Sequence, residues 1–138
     1  MKENHHRELA RYRMEKAYRN LSIARAAFQN GFFDEAVAKS YYAVLTAMRA
    51  VLAALHVDNK RHEGVITLFH QHLVNKDLFP KRYNKIISKL KRLRENADYG
   101  DYLSITEGDA SQEIRNADEF VRTADEALAK LLLSRRGV

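Results

Sequence analysis

The sequence feature that most constrains the fold is a long helical segment, residues 34–56, with two adjacent apolar stripes. Large side chains recur along it at alternating spacings of four and three, at Val37, Tyr41, Val44, Met48, Val51 and Leu55. Small side chains recur beside them at Ala36, Ser40, Ala43, Ala47, Ala50 and Ala54. A helix with so wide an apolar surface is covered on more than one side, and small residues let a neighbour approach closely. The pattern therefore places this segment at the centre of a helical bundle.

Four other segments have helical periodicity and are predicted as amphipathic helices. They cover residues 8–29, 61 or 62–74, 81–97 and a C-terminal stretch that is capped by Thr106 or Ser111. Their inward positions are Ala10, Met14, Ala17, Leu21, Ala24 and Phe28; Val65, Leu68, Phe69 and Leu73; Tyr83, Ile86, Ile87, Leu90, Leu93 and Ala97; and Ile114, Ala117, Val121, Ala124, Leu128 and Leu131. Because no segment alternates as a strand does, we predict an all-α antiparallel bundle of about five helices.

Composition favours one helical domain and excludes several kinds of site. A chain of 138 residues can bury one sizeable core, so we predict a single domain over residues 1–138, with a polar tail at about 1–6 and a frayed end at about 134–138. The absence of cysteine excludes disulfides and thiolate metal sites. Lys39 and Arg49 interrupt the most apolar helix, and no secretory signal precedes it, so we expect a cytoplasmic protein without a membrane span.

The candidate site is the segment of residues 94–102, where one arginine, two aspartates and two tyrosines lie close together. Arg94 can bind a phosphate in a planar fork, and Gly100 permits a sharp turn that brings its neighbours together. The other candidate side chains are Asp98, Tyr99, Asp101 and Tyr102. Two structural alternatives stay open, because Arg94 and Asp98 are one helical turn apart, as in a salt bridge, and either tyrosine can pack in a core.

A basic ridge precedes this segment and consists of Arg82, Lys85, Lys89 and Arg92. Together with a formal charge of +6, it suggests an acidic partner such as nucleic acid, although such ridges also occur as solvated helix faces. His62, His70 and His72 are too differently oriented on a helix to form a metal site. We therefore predict neither a metal nor another cofactor.

Three sequence blocks resemble the HEPN domain family in order and spacing. They are AKSYYA at residues 38–43, HEGVI at 62–66 with FHQH at 69–72, and ADYGDY at 97–102. The resemblance covers nearly the whole chain. It implies a helical bundle that forms a symmetric homodimer, with a cleft between the two copies of the region around residues 94–102.

The resemblance also implies a set of functions. Members are frequently encoded beside a minimal nucleotidyltransferase, often as toxin and antitoxin. Active members are metal-independent RNA endonucleases with an arginine followed four to six residues later by histidine, and in some toxins a nearby tyrosine is adenylylated. By this resemblance Tyr102, or else Tyr99, is the candidate for modification.

This chain departs from the family pattern because no histidine follows His72. An imidazole exchanges protons near neutral pH, whereas an ordinary aspartate is a poor acid and a weak base there. We therefore predict a partner module that binds a nucleotidyltransferase, nucleotide or RNA through a dimer cleft around residues 94–102, without efficient catalysis. The alternative is a metal-independent ribonuclease in which Arg94 acts with Asp98, Asp101 or a tyrosine as proton carrier.

Overall fold

The computed structural model describes the backbone of residues 2–99 and 105–136, and the side chains of residues 4–95 and 105–134. Within these ranges the chain forms five α-helices and no strand. They are α1 (Lys2–Gln29), α2 (Phe33–Ala54), α3 (His62–Phe69), α4 (Tyr83–Tyr99) and α5 (Glu107–Arg136). A π-helical turn, His70–Val74, extends α3. The predicted all-α fold of about five helices is confirmed.

The second helix is the centre of the fold, as its two stripes predict, because α2 contacts each of the other four helices. Every residue of both stripes is buried except Leu55, which is partly buried against the core. The helix α1 lies along α2, and the Arg13 side chain donates a hydrogen bond to the Arg49 carbonyl oxygen at 3.3 Å. The large stripe fills the core, and the small side chains leave room for neighbouring helix backbones.

Local sequence features end α1 and start α5 where they were expected to. Gly31 has a φ of +79°, a left-handed conformation that glycine adopts without strain, and it closes α1 before α2 begins. At the start of α5, Thr106 is the cap: its hydroxyl accepts from the Asp109 amide at 3.0 Å, and the Asp109 carboxylate accepts from the Thr106 amide at 3.3 Å. The structure thus decides for Thr106 over Ser111.

The start of α1 differs from the expectation, because the helix begins at Lys2 and includes the residues that were predicted as a polar tail. Two contacts distant in sequence stabilise this first part. The Arg7 side chain donates a hydrogen bond to the Leu132 carbonyl oxygen near the end of α5, and the His6 ring stacks on His56 with a centroid distance of 3.8 Å. Periodicity within the segment could not show either contact.

A polar network connects the start of α4 to α5. The Tyr83 hydroxyl accepts a hydrogen bond from Arg82 at 3.0 Å and donates one to Glu119 at 3.0 Å, although the Tyr83 residue is fully buried. Arg82 also pairs directly with Glu119 at 2.8 Å, and Thr123 Oγ1 lies 2.9 Å from the Tyr83 hydroxyl. Each polar group in this contact therefore has a partner, which is what burial of a phenol requires.

Candidate functional site

Arg94 extends from α4 onto two neighbouring tyrosines of α2. Its Nη2 donates a hydrogen bond to the Tyr42 hydroxyl at 3.0 Å. The guanidinium carbon lies 5.5 Å from the centroid of the Tyr41 ring and 5.6 Å from that of Tyr42, within the range of cation–π attraction. The two rings therefore orient a planar cation that carries several N–H donors.

His62 brings an imidazole from a third helix to the same place. It is the first residue of α3, and its ring centroid lies 6.0 Å from that of Tyr41 and 5.9 Å from that of Tyr42. We call Tyr41, Tyr42, His62 and Arg94 the Arg94 site. Three helices meet there, so its geometry depends on the packing of the whole bundle.

The electrostatics of the site keep the imidazole neutral and Tyr41 protonated at neutral pH. Burial lowers the pKa of His62 below its usual value of 6.5, and the positive charges of Arg94 and Arg49 lower it further. Burial raises the pKa of the Tyr41 phenol above its usual 10.0, although Arg94 acts in the opposite direction. A neutral imidazole can accept a proton, and a protonated phenol can donate a hydrogen bond.

A close contact fixes the start of α3 and hence His62. The Asn59 side chain accepts a hydrogen bond from the Arg61 amide at 2.8 Å, just before the helix begins. Gly64 lets that side chain pack on the helix backbone, since a Cβ at Gly64 would lie 2.3 Å from Asn59 Cγ. Gly64 therefore leaves the space that the Asn59 side chain occupies, a reason that its position in a first helical turn did not show.

A cavity of about 330 Å³ lies between α3 and α4. We call it the α3–α4 groove, and it is lined by Glu63, Ile66, Thr67, His70, Ile87, Ser88 and Lys91. An ion pair between Lys91 and Glu63, with an N–O distance of 3.3 Å, joins the two helices at one part of its wall. The groove combines an apolar floor with hydroxyl, imidazole and charged groups.

Comparison with known proteins gives the family of the chain. A family model described as the HEPN domain matches residues 10–127, which is most of the chain. The chain belongs to the HEPN domain family.

Relatives of this HEPN domain align over most of their own lengths. A Methanocaldococcus jannaschii protein named "Putative toxin MJ0605" is 36% identical over 119 residues, covering 86% of this chain and 88% of that protein. The UPF0332 protein glr0978 of Gloeobacter violaceus is 36% identical over 118 residues, covering 85% and 94%. A second M. jannaschii protein, named "Putative toxin MJ0142", is 23% identical over 108 residues, covering 78% and 74%.

Two of the sequence blocks that resemble HEPN domains contribute directly to the site. Tyr41 and Tyr42 come from the first block, and His62 begins the second. Arg94 lies shortly before the third block. Sequence reasoning found Arg94 and placed Tyr41 correctly in the core, but it assigned Tyr41 no role in the site. It weighed His62 as a metal ligand and as part of the second block, without connecting it to Arg94. All of these residues lie in or next to the three blocks that resemble the HEPN domain, and this is the signal that could have brought them together in one site.

The remaining predicted site residues are Asp98, Tyr99, Asp101 and Tyr102, and their side chains lie outside the described residues. The basic ridge is described and divides into two kinds of residue. Arg82 pairs with Glu119 at 2.8 Å, and Lys89 Nζ lies 3.9 Å from the buried Glu113 carboxylate. Lys85 and Arg92 are exposed. These two are therefore the ridge residues best placed to meet an external ligand.

The described parts of the chain form neither a metal site nor a membrane span. Among those residues, no group of three or more His, Cys, Asp or Glu side chains could hold a metal ion. No helix that the structure describes is long and apolar enough to cross a membrane.

Proposed function

We propose that this protein is the HEPN partner of a nucleotidyltransferase in a toxin-antitoxin-type pair, and that it binds RNA through the Arg94 site without efficient cleavage. The observation that carries the binding proposal is the position of the Arg94 guanidinium over the Tyr41 and Tyr42 rings, with His62 beside them. The names of two relatives as toxins support the toxin-type pair.

A phosphate of RNA suits this site chemically. A guanidinium carries five N–H donors in a fixed plane, so one arginine can hold a tyrosine hydroxyl and a phosphate oxygen at once. The tyrosine rings fix the orientation of the Arg94 guanidinium. The net charge of +6 attracts polyanions over a longer range.

Fluorescence anisotropy with a short single-stranded RNA, in EDTA, tests the binding proposal. Arg94→Ala removes charge-assisted hydrogen bonds to a phosphate and is expected to weaken binding by about 10- to 150-fold. Arg122→Ala is the matched control, because Arg122 also lies over a tyrosine ring, Tyr18, at 5.9 Å and pairs with a carboxylate. The control variant should bind as the wild type does.

Circular dichroism and thermal unfolding are measured on both variants, so that loss of binding is separated from loss of fold. Equal affinities for Arg94→Ala and the wild type would refute the Arg94 site as the binding site. Equal losses in Arg94→Ala and Arg122→Ala would indicate a general charge effect instead.

A second candidate function is RNA cleavage, and the neutral His62 beside Arg94 favours it. The expected proton carriers were aspartates or a tyrosine, whereas the His62 imidazole comes from another helix to the same pair of tyrosine rings as Arg94. In this reaction His62 takes the proton of a ribose 2′-hydroxyl, and the resulting oxygen attacks the adjacent phosphorus. A 2′,3′-cyclic phosphate forms, the 5′-oxygen leaves and takes a proton from water, and Arg94 stabilises the charge on the phosphoryl oxygens.

Incubation of RNA with the protein in EDTA distinguishes binding from cleavage. Cleavage to 2′,3′-cyclic phosphate ends that is lost in both His62→Gln and Arg94→Ala would establish the second candidate. Retained RNA binding in His62→Gln would separate proton transfer from phosphate binding. If the wild type binds RNA and leaves it intact, the protein is a binding module.

Partnership with a nucleotidyltransferase forms part of the proposal, together with a symmetric homodimer. Light scattering at micromolar concentration tests the dimer, and a monomer would refute it. Co-expression with a neighbouring nucleotidyltransferase tests the partner: an added AMP mass that disappears in Tyr102→Phe would identify Tyr102 as the modified residue. Loss of that mass only in Tyr99→Phe would assign the modification to Tyr99.

A further inference from the structure

The contact line between α1 and α5 pairs polar groups of the two helices along its middle part. The Arg25 guanidinium pairs with the Asp118 carboxylate at 2.7 Å, and the Tyr18 hydroxyl donates a hydrogen bond to the Asp125 carboxylate at 2.8 Å. In these contacts residue numbers rise along α1 as they fall along α5, so the two helices are antiparallel. Asp118 and Asp125 are seven residues apart and lie on the same face of α5, from which each supplies a carboxylate to α1.

This series of carboxylates ends before the contact line does. The position seven residues after Asp125 is Leu132, and α5 carries no acidic residue after Glu126. On the α1 side, Arg7 donates a hydrogen bond to the Leu132 carbonyl oxygen. Arg11, one turn later, forms no ion pair with any residue that the structure describes. Two guanidiniums of α1 therefore face a part of α5 that has no acidic side chain of its own.

A cavity of about 280 Å³ lies at this part of the contact line. We call it the α1–α5 cavity, and it is lined by Arg7, Arg11, Asp125, Leu128, Ala129, Leu132 and Leu133. Two arginines against one aspartate, which is already bonded to Tyr18, give its lining a net positive charge. Leu133 is 72% exposed, so an apolar group from outside can cover it.

The lining selects a ligand that carries a carboxylate beside an apolar group. An arginine binds a carboxylate through two parallel hydrogen bonds, and leucine side chains gain from the removal of apolar surface from water. A free phosphate would meet the guanidiniums and leave the leucines uncovered. The cavity has room for one or two side chains but not for a whole helix. On a partner helix, an acidic and an apolar residue one turn apart lie on the same face and can enter it together.

We propose that the α1–α5 cavity is a docking site for a protein partner, which inserts an acidic and an apolar side chain from an amphipathic helix. The partner supplies the carboxylate that α5 lacks beyond Glu126. The cavity shares no lining residue with the Arg94 site, so this inference does not depend on the proposed function.

Fluorescence anisotropy with a labelled helical peptide tests the docking site. The acidic peptide carries leucine and glutamate one turn apart, and two matched peptides replace the glutamate by glutamine or the leucine by alanine. The acidic peptide should bind about tenfold more tightly than the glutamine peptide, near the low end for a hydrogen bond to a charged group, because Arg11 is exposed. It should bind about fourfold more tightly than the alanine peptide, as expected for one buried methylene group. An acidic peptide that binds no better than either matched peptide, or does not bind at millimolar concentration, would overturn the inference.

Substitutions at the cavity test which groups hold the peptide. Arg11→Ala should weaken binding of the acidic peptide by about tenfold. Arg19→Ala, at another exposed position on α1, is the matched control and should bind as the wild type does. Equal affinities of the Arg11→Ala variant and the wild type would contradict the role of this guanidinium and overturn the site.

A second pair of variants separates charge from the filling of space. Ala129→Glu places a carboxylate of α5 itself in the lining and should abolish the preference for the acidic peptide over the glutamine peptide. Ala129→Gln introduces a side chain of the same size without charge and should retain that preference. Loss of the preference in both variants, or in neither, would refute recognition through the missing acidic group.

Two further measurements distinguish this surface from others. Vesicles of phosphatidylglycerol that bind the wild type but not Arg11→Ala, in the absence of peptide binding, would make the surface a membrane site and overturn the protein partner. The Arg94→Ala variant should bind the acidic peptide with the affinity of the wild type. A loss in that variant would place the peptide at the Arg94 site and refute docking at the cavity.

Discussion

The two ends of α4 each place an arginine against a tyrosine, but they differ in what surrounds the pair. At the N-terminal end, Arg82 lies 4.5 Å from the Tyr83 ring centroid, and the Glu119 carboxylate accepts hydrogen bonds from both side chains. Toward the C-terminal end, Arg94 lies over the rings of Tyr41 and Tyr42, with His62 beside them.

The difference bears on the proposed roles of the two pairs, which are stability at the Arg82 end and binding at the Arg94 end. A carboxylate balances the charge of Arg82 and joins α4 to α5. At the other end, the rings of Tyr41 and Tyr42 orient the Arg94 guanidinium by cation–π attraction. We therefore expect substitutions at the Arg82 end to change the free energy of unfolding, and substitutions at the Arg94 end to change mainly ligand affinity.

The largest expected effect is that of Tyr83→Ala at the Arg82 end. It removes a fully buried ring together with its hydroxyl network and should lower the free energy of unfolding by about 3–5 kcal/mol. Tyr42→Ala at the Arg94 end removes a half-buried ring and should cost about 1–2 kcal/mol. Urea unfolding measures both, and equal losses would contradict the distinction between the two ends.

The next largest effect concerns the contact that positions His62. Gly64→Ala forces the Asn59 side chain off the start of α3, which should destabilise the fold by about 1–2 kcal/mol through overpacking and loss of the hydrogen bond to Arg61. Gly108→Ala is the control, since its added Cβ would lie 3.8 Å from Thr106 Oγ1, an ordinary contact. That variant should gain about 0.5–1 kcal/mol.

Thermal unfolding of the two glycine variants measures whether the added methyl group at Gly64 destabilises the fold. RNA affinity of the Gly64→Ala variant measures whether His62 is displaced. A stable Gly64→Ala variant with unchanged RNA affinity would show that the start of α3 tolerates the added methyl group. The position of His62 would then not depend on the Asn59 contact.

A smaller effect is expected in the salt dependence of RNA binding. In the basic ridge too, a residue paired with a carboxylate is expected to differ from residues that are exposed. If the exposed Lys85 and Arg92 contact phosphates, each alanine variant should flatten the slope of log affinity against log salt by about 0.7. Arg82→Ala should leave the slope unchanged, because Arg82 is paired with Glu119. An unchanged slope in the Lys85 and Arg92 double variant would make the ridge a solvated helix face.

The smallest expected effect is a difference in pH dependence between the two ends. Burial, Arg94 and Arg49 hold the pKa of His62 below 6.5, so the unfolded chain binds its proton first as the pH falls. Stability from this group is complete above pH 6.5 and is lost between that pH and the folded-state pKa. Hydrogen bonds from Tyr83 and Arg82 hold the pKa of Glu119 below 4.5, so its contribution is lost only at more acidic pH.

Urea unfolding at pH 7.5, 5.5 and 4 measures these contributions. The His62→Gln variant should lose less stability than the wild type between pH 7.5 and pH 5.5. The Glu119→Gln variant should differ from the wild type only in the stability lost near pH 4 and below. Since Glu119 is exposed, its effect is expected to be small. If the free energy of unfolding of His62→Gln depends on pH as that of the wild type does, then protonation of His62 does not affect stability.

Local sequence predicted much of the fold because the relevant physics is local. Periodicity identified the buried faces of α1 and α2, and Asn30 with Gly31 predicted the end of α1. The start of α1 was placed too late, because the contacts of Arg7 with Leu132 and of His6 with His56 join residues far apart in the chain. Such contacts stabilise the start of the helix, and the periodicity of one segment cannot predict them.

The sequence by itself determined five amphipathic helices, a basic chain and Arg94 as the centre of a candidate site, since these follow from residue type and spacing. Only the tertiary structure decided which aromatic rings meet Arg94. The Tyr42 hydroxyl that it contacts is 52 residues away, and His62 comes from another helix. Three helices bring these side chains together through packing of their apolar faces, and many residues that are not in the site contribute to that packing.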